Sequence, residues 1–150
     1  MRALHGNDAG RNRERPAAVF ASAAEAAAAR AAAGPRGVWL LSTPGAAAFP
    51  GARVVAAMVA RGVRGRPGVP HAAVLDCGAA PGLALDALRG GWSRIVLDPG
   101  CPAFDGVVAA AAELGATVLP TRPRALDLAA LDLRGPGGRA ILVRWLAAPP

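Results

Sequence analysis

Short apolar runs alternate with helix-like stretches through nearly the whole chain, and this alternation restricts the fold more than any other feature. The runs are Ala17–Phe20, Val38–Leu41, Ala72–Leu75, Arg94–Leu97, Ala116–Leu119 and Ala140–Leu146. Each is followed by a turn, and most of the turns lead into an Ala- or Leu-rich segment closed by glycine. Such a pattern predicts a mostly parallel sheet covered by helices. The expectation is a three-layer α/β fold with five or six strands and helices on both faces, Rossmann-like or flavodoxin-like.

The helices are marked by their ends. Ser22 followed by Glu25 makes a capping box, and an Ala-rich run then reaches Ala33, where Gly34 and Pro35 predict a left-handed stop. A second helix is expected from about Pro50, with Val55, Met58 and Val59 on its buried face and Gly62 as its stop. Pro81 should open a third, burying Leu83 or Ala84 with Ala87 and Leu88. Pro102 should open a fourth that Gly115 closes, and a short helical piece is expected around Leu126–Leu131. Gly135-Pro136-Gly137-Gly138 reads as a turn before a last strand, Ile141–Leu146, either parallel or an antiparallel edge. Residues 1–16 are polar and read as a disordered arm, leaving 17–150 as a single domain.

Although 53% of the residues are apolar, no uninterrupted run approaches the ~20 needed to span a bilayer. The basic start of the chain has no apolar core, so a secretory signal is not expected. Together these predict a cytoplasmic protein that does not enter the membrane. The formal charge of +7 would ordinarily suggest nucleic acid as a partner. All 17 basic residues, however, are arginine, and the chain contains no Lys, Tyr or Gln. With so much Ala, Gly and Pro, arginine richness points to coding bias. The arginines are also scattered and not interleaved with aromatics, which argues against single-strand binding. Two cysteines without a CxxC pair make neither a disulfide framework nor a zinc site, so no metal is expected. A phosphate loop and a GxGxxG motif are both absent, so no cofactor is expected either.

In open parallel sheets, ligands bind outside the carboxyl ends of the strands. The residues placed there are Ser42, Thr43, Asp76, Cys77, Asp98, Cys101, Thr121 and Arg122. Asp76 and Cys77 could act as base and nucleophile. Equally, Asp76 could brace its turn and Cys77 could be a buried packing residue. Cys101, next to Pro102, would gain thiolate character at a helix start, or simply sit in the preceding loop. Ser42, Thr43, Asp98, Thr121 and Arg122 are candidate ligand contacts, with an anion as the small ligand they would suit. Trp39 and Trp145 are expected in strands, and Trp92 in a partly exposed loop.

From Ala72 to Leu131 the chain resembles the later part of a response-regulator receiver domain. The likeness rests on Asp76 ending a central strand, the Pro-Gly-containing loop and helix after it, and the Arg122-Pro123 dipeptide before a Leu/Asp-rich segment. It implies a phospho-accepting Asp76 beside magnesium. Ala21-Ser22 stands where such domains carry the acidic pair that holds the metal, and Arg122 replaces the usual lysine, so the magnesium route lacks two carboxylates here.

The sequence therefore supports two functional expectations. One is a non-catalytic α/β binding or protein-interaction module. The alternative is a small transferase- or hydrolase-like enzyme using Asp76, Cys77 and Cys101.

Overall fold

A computed structural model describes residues 15–65 and 68–149. Most of the arm expected over residues 1–16 lies outside them. Pro16 is described, and its carbonyl accepts a 3.0 Å hydrogen bond from the Trp39 N–H, so the sheet ladder already includes it. In chain order the elements are β1 (Ala17–Phe20), α1 (Ala23–Ala32), β2 (Val38–Ser42), α2 (Ala52–Gly62), β3 (His71–Asp76) and α3 (Pro81–Arg89). They continue as β4 (Arg94–Val96), α4 (Phe104–Glu113), β5 (Thr117–Leu119), β6 (Ala125–Asp127) and α5 (Pro136–Ala147). The expected α/β class is the one found: a single sheet of six strands, all parallel, with helices between them.

The strand order is β5-β4-β3-β2-β1-β6, which is neither the Rossmann order 3-2-1-4-5-6 nor the flavodoxin order 2-1-3-4-5. The order also places the helices. Four successive crossovers step across the sheet in one direction, and right-handed crossovers of that kind put their helices on one face. Accordingly, Ala18, Phe20, Leu40, Leu75 and Ile95 of the strands share one core with buried residues of all five helices. The alternate residues Val19, Leu41, Val74 and Val96 form a second cluster with Trp39, Leu119 and Ala125, without a helical residue among those described.

The return from β5 to β6 is made by Pro120–Arg124 alone. The six steps from Leu119 to Ala125 reach at most about 22 Å, whereas five strand spacings along a flat sheet are about 24 Å. The sheet must therefore curl, and the connection runs across it as an extended strap. Pro120 and Pro123 suit that conformation.

α1 starts as its capping box requires: Ser22 Oγ accepts from the Glu25 N–H at 3.2 Å, and the Glu25 carboxylate accepts from the Ala21 N–H at 2.6 Å. Its end differs from expectation, because Ala33 is extended and the left-handed residue is Gly37, at φ +76°. Gly62 is not a stop but the last residue of α2. A β-carbon there would lie 2.7 Å from the Ala26 β-carbon, so its role is the close approach of α1 and α2. Buried Arg30 of α1 donates to the carbonyls of Val63 and Val69, tying down the connection between α2 and β3.

Two sequence expectations are corrected at the carboxyl end. The run Ile141–Leu146 is not a strand but part of α5, with Leu142 and Leu146 buried one turn apart. Gly135-Pro136-Gly137-Gly138 is the cap and first turn of that helix, with Pro136 at the position where a missing N–H is harmless. A β-carbon on Gly138 would overlap the Asp132 carbonyl, so the glycine permits close passage. The sixth strand is instead Ala125–Asp127, followed by a single helical turn, Leu128–Ala130. Trp145 belongs to α5. Its indole N–H donates to the Ala17 carbonyl at 2.8 Å, and the Arg124 guanidinium lies 4.8 Å from its ring centre. Trp92 is buried, not exposed. No helix among the described residues is long and apolar enough to cross a membrane.

Candidate functional site

The carboxyl ends of β2 and β3 lie side by side, and a polar network joins them. The centre is Asp76, the last residue of β3. Its Oδ1 accepts from the backbone N–H groups of Gly45 and Gly78, both at 2.8 Å. Its Oδ2 pairs with Arg122 Nη1 at 2.5 Å. Arg122 Nη2 donates to the Ser42 carbonyl at 3.0 Å, so one guanidinium from the β5–β6 strap clamps the ends of two strands. Ser42 Oγ accepts from the Asp76 N–H at 2.8 Å and donates to the Thr43 carbonyl at 3.2 Å.

Of the residues the sequence placed at this edge, the network gathers Ser42, Thr43, Asp76 and Arg122. The others sit beside it. Asp98 is exposed; its carboxylate accepts from the Gly100 N–H, and its N–H donates to the Gly78 carbonyl, both at 2.8 Å. Thr121 is exposed on the strap. Cys101 is buried in the turn before α4, which begins at Phe104 and not at Pro102. The helix-start argument for a reactive Cys101 thiol therefore does not apply.

Cys77 is also buried, and its thiol is pushed up to about 12, first by burial and then by the Asp76 carboxylate next to it. A nucleophile needs the opposite shift. The sign has a consequence for stability. The native state holds this proton more tightly than the unfolded chain, so its contribution is complete below pH 9.0 and falls away as pH rises toward about 12. In the native protein Cys77 is expected to alkylate more slowly than Cys101, which is 8% exposed against 2%. Timed alkylation with peptide mapping checks this; faster labelling of Cys77 would contradict both its burial and its raised pKa.

Next to the network is a residue whose importance the sequence concealed. The turn after β2, Ala47–Gly51, carries Phe49, which is 85% exposed. The turn is held from behind. The Phe49 N–H donates to the Gly45 carbonyl at 3.3 Å and the Gly51 N–H to the Ala46 carbonyl at 2.9 Å, while Gly45 itself donates to Asp76. Phe49 was legible only as one of few aromatics. A phenylalanine directly before Pro50-Gly51, between two helix-forming alanine stretches, was the available signal.

The receiver resemblance is met in one contact and not in architecture. Arg122 does reach Asp76, but receiver domains share the 2-1-3-4-5 order, which this sheet lacks. Moreover, both oxygens of Asp76 already have protein partners. No protein-family model matches the chain, and no curated protein matches it.

Proposed function

We propose that this protein is a non-catalytic α/β module of the cytoplasm that binds a protein partner through its carboxyl edge. The observation that carries this reading is the combination of a satisfied carboxylate and an exposed aromatic built on it. Asp76 is engaged by Arg122, Gly45 and Gly78, and through Gly45 it supports the turn that holds Phe49 in solvent. A buried group with a full set of partners braces a structure, while a large exposed aromatic on a fixed turn is the kind of group that anchors an interface. The raised thiol of Cys77 speaks against an enzyme that uses Cys77 as its nucleophile.

The test is turnover. The full chain is expected to hydrolyse p-nitrophenyl acetate and p-nitrophenyl phosphate no faster than buffer. Hydrolysis that Asp76→Asn or Cys77→Ser abolishes, in variants that remain folded by circular dichroism, would overturn the non-catalytic reading.

A further inference from the structure

The surface that continues from Phe49 has a charge character that specifies its partner. α2 begins directly after the Phe49 turn, and its outer side is exposed at Arg53, Val54, Ala57 and Arg61. Arg53, Ala57 and Arg61 are spaced four residues apart, so they form one stripe, with the two guanidinium groups based about 12 Å apart along the axis. Val54, 44% exposed, lies beside the stripe at the end nearest Phe49. No Asp or Glu occurs anywhere between residues 26 and 75, a stretch that holds six arginines. The acidic residues of α1 and α3 each have a partner on their own side of the molecule. Glu25, at the start of α1, accepts from the Ala21 N–H, and Asp86 of α3 pairs with Arg89 at 3.8 Å. The face thus presents an aromatic anchor and a small apolar shoulder backed by positive charge that no carboxylate of its own element offsets.

We propose that Phe49 and the outer stripe of α2 dock an acidic peptide segment of a partner protein, one that carries an apolar pocket or side chains for Phe49 and carboxylates for Arg53 and Arg61. Charge complementarity argues for this occupant. A second copy of this chain would bring arginine against arginine. A nucleic acid would use the arginines but have little use for the apolar shoulder formed by Val54. The inference rests on the interaction-module reading and narrows it to one surface and one chemistry.

The test uses the full chain, panned against a displayed library of random dodecapeptides. Enriched sequences are then synthesised with a fluorescein label and titrated. Acidic residues together with Leu or an aromatic should dominate the enriched set. Phe49→Ala should weaken binding by about tenfold or more, as truncation of an anchor does. Arg53→Glu/Arg61→Glu should weaken it by about tenfold, with the difference shrinking as salt rises. Because these side chains are exposed, the variants should melt like the parent, which circular dichroism verifies. Enrichment of peptides without acidic residues, binding insensitive to Phe49, or no enrichment at all would overturn the proposal. A labelled oligouridylate bound more tightly than the peptides through the arginines, with or without Phe49, would also overturn it, in favour of nucleic acid. Peptide binding mapped to another surface would sink this inference while leaving the module reading intact, whereas turnover lost with Asp76 or Cys77 would sink the module reading itself.

Discussion

Arg122→Ala is expected to lower stability by about 2–4 kcal/mol, or roughly 6–14 °C in Tm for a chain of this size. The guanidinium lies 2.5 Å from Asp76 Oδ2 and 3.0 Å from the Ser42 carbonyl, and the Asp76 side chain is only 5% exposed. Its removal leaves a nearly buried carboxylate with amide donors on one oxygen and no protein partner on the other. The arginine is 29% exposed, so water can partly replace it. That moves the expected loss to the lower end of, and partly below, the range of about 3–5 kcal/mol for a fully buried pair. Arg122→Lys should recover only part, because a single ammonium cannot reach the carboxylate and the carbonyl with the same fork. Adding Asp76→Asn to Arg122→Ala should cost less than the two changes separately, since the second removes the charge that the first leaves stranded. Thermal melts of the four proteins check this. A Tm for Arg122→Ala equal to that of the parent would show that the clamp contributes nothing.

Gly37→Ala should be at least as damaging, at about 3–5 kcal/mol. Two effects coincide there. The residue has φ +76°, which disfavours any side chain by about 1–2 kcal/mol. In addition, a β-carbon would overlap the Pro70 carbonyl oxygen and lie 2.8 Å from the Pro70 β-carbon. The obstruction is backbone and cannot swing aside. The same carbonyl accepts the Val38 N–H at 3.2 Å, so moving it disturbs the point where β2 and β3 enter the sheet together. Gly115→Ala is the control, with φ +68° but open space around it; it should show the conformational term alone, about 1–2 kcal/mol. Urea unfolding of both variants separates the contributions, and equal losses would mean that the Pro70 contact has no weight.

Five of the six strands could be read from the sequence because each is a short apolar run ending in a turn. Val38–Ser42 and His71–Asp76 are buried on both faces and so read as continuous apolar stretches. β6 could not be found that way. It has three residues, lies at the sheet edge and follows a proline-rich strap, so it carries no periodic signal. The run at Ile141–Leu146 is long enough for a strand and short enough to hide a helix, and periodicity alone does not separate the two. What misled was Gly137-Gly138, a poor helical pair, of which Gly138 is required because the chain passes close to Asp132 there while Gly137 has open space around it. Strand-end logic placed Ser42, Asp76 and Arg122 at the carboxyl edge, and the structure brings these three residues together there. That logic could not reveal that they bond one another, since that depends on a strap crossing from the far edge of the sheet, an arrangement with no local mark.

The strand order has a further consequence during synthesis. β1 is made well before β6, yet its outer edge is covered only when Ala125–Asp127 arrive to pair with it. Until then a nascent chain already able to pair β1 through β5 shows an open strand edge, the kind of surface that recruits other chains. Synthesis therefore passes through a stage in which the four-residue, fully buried β1 stands as the sheet edge in place of the three-residue β6 that ends the finished sheet.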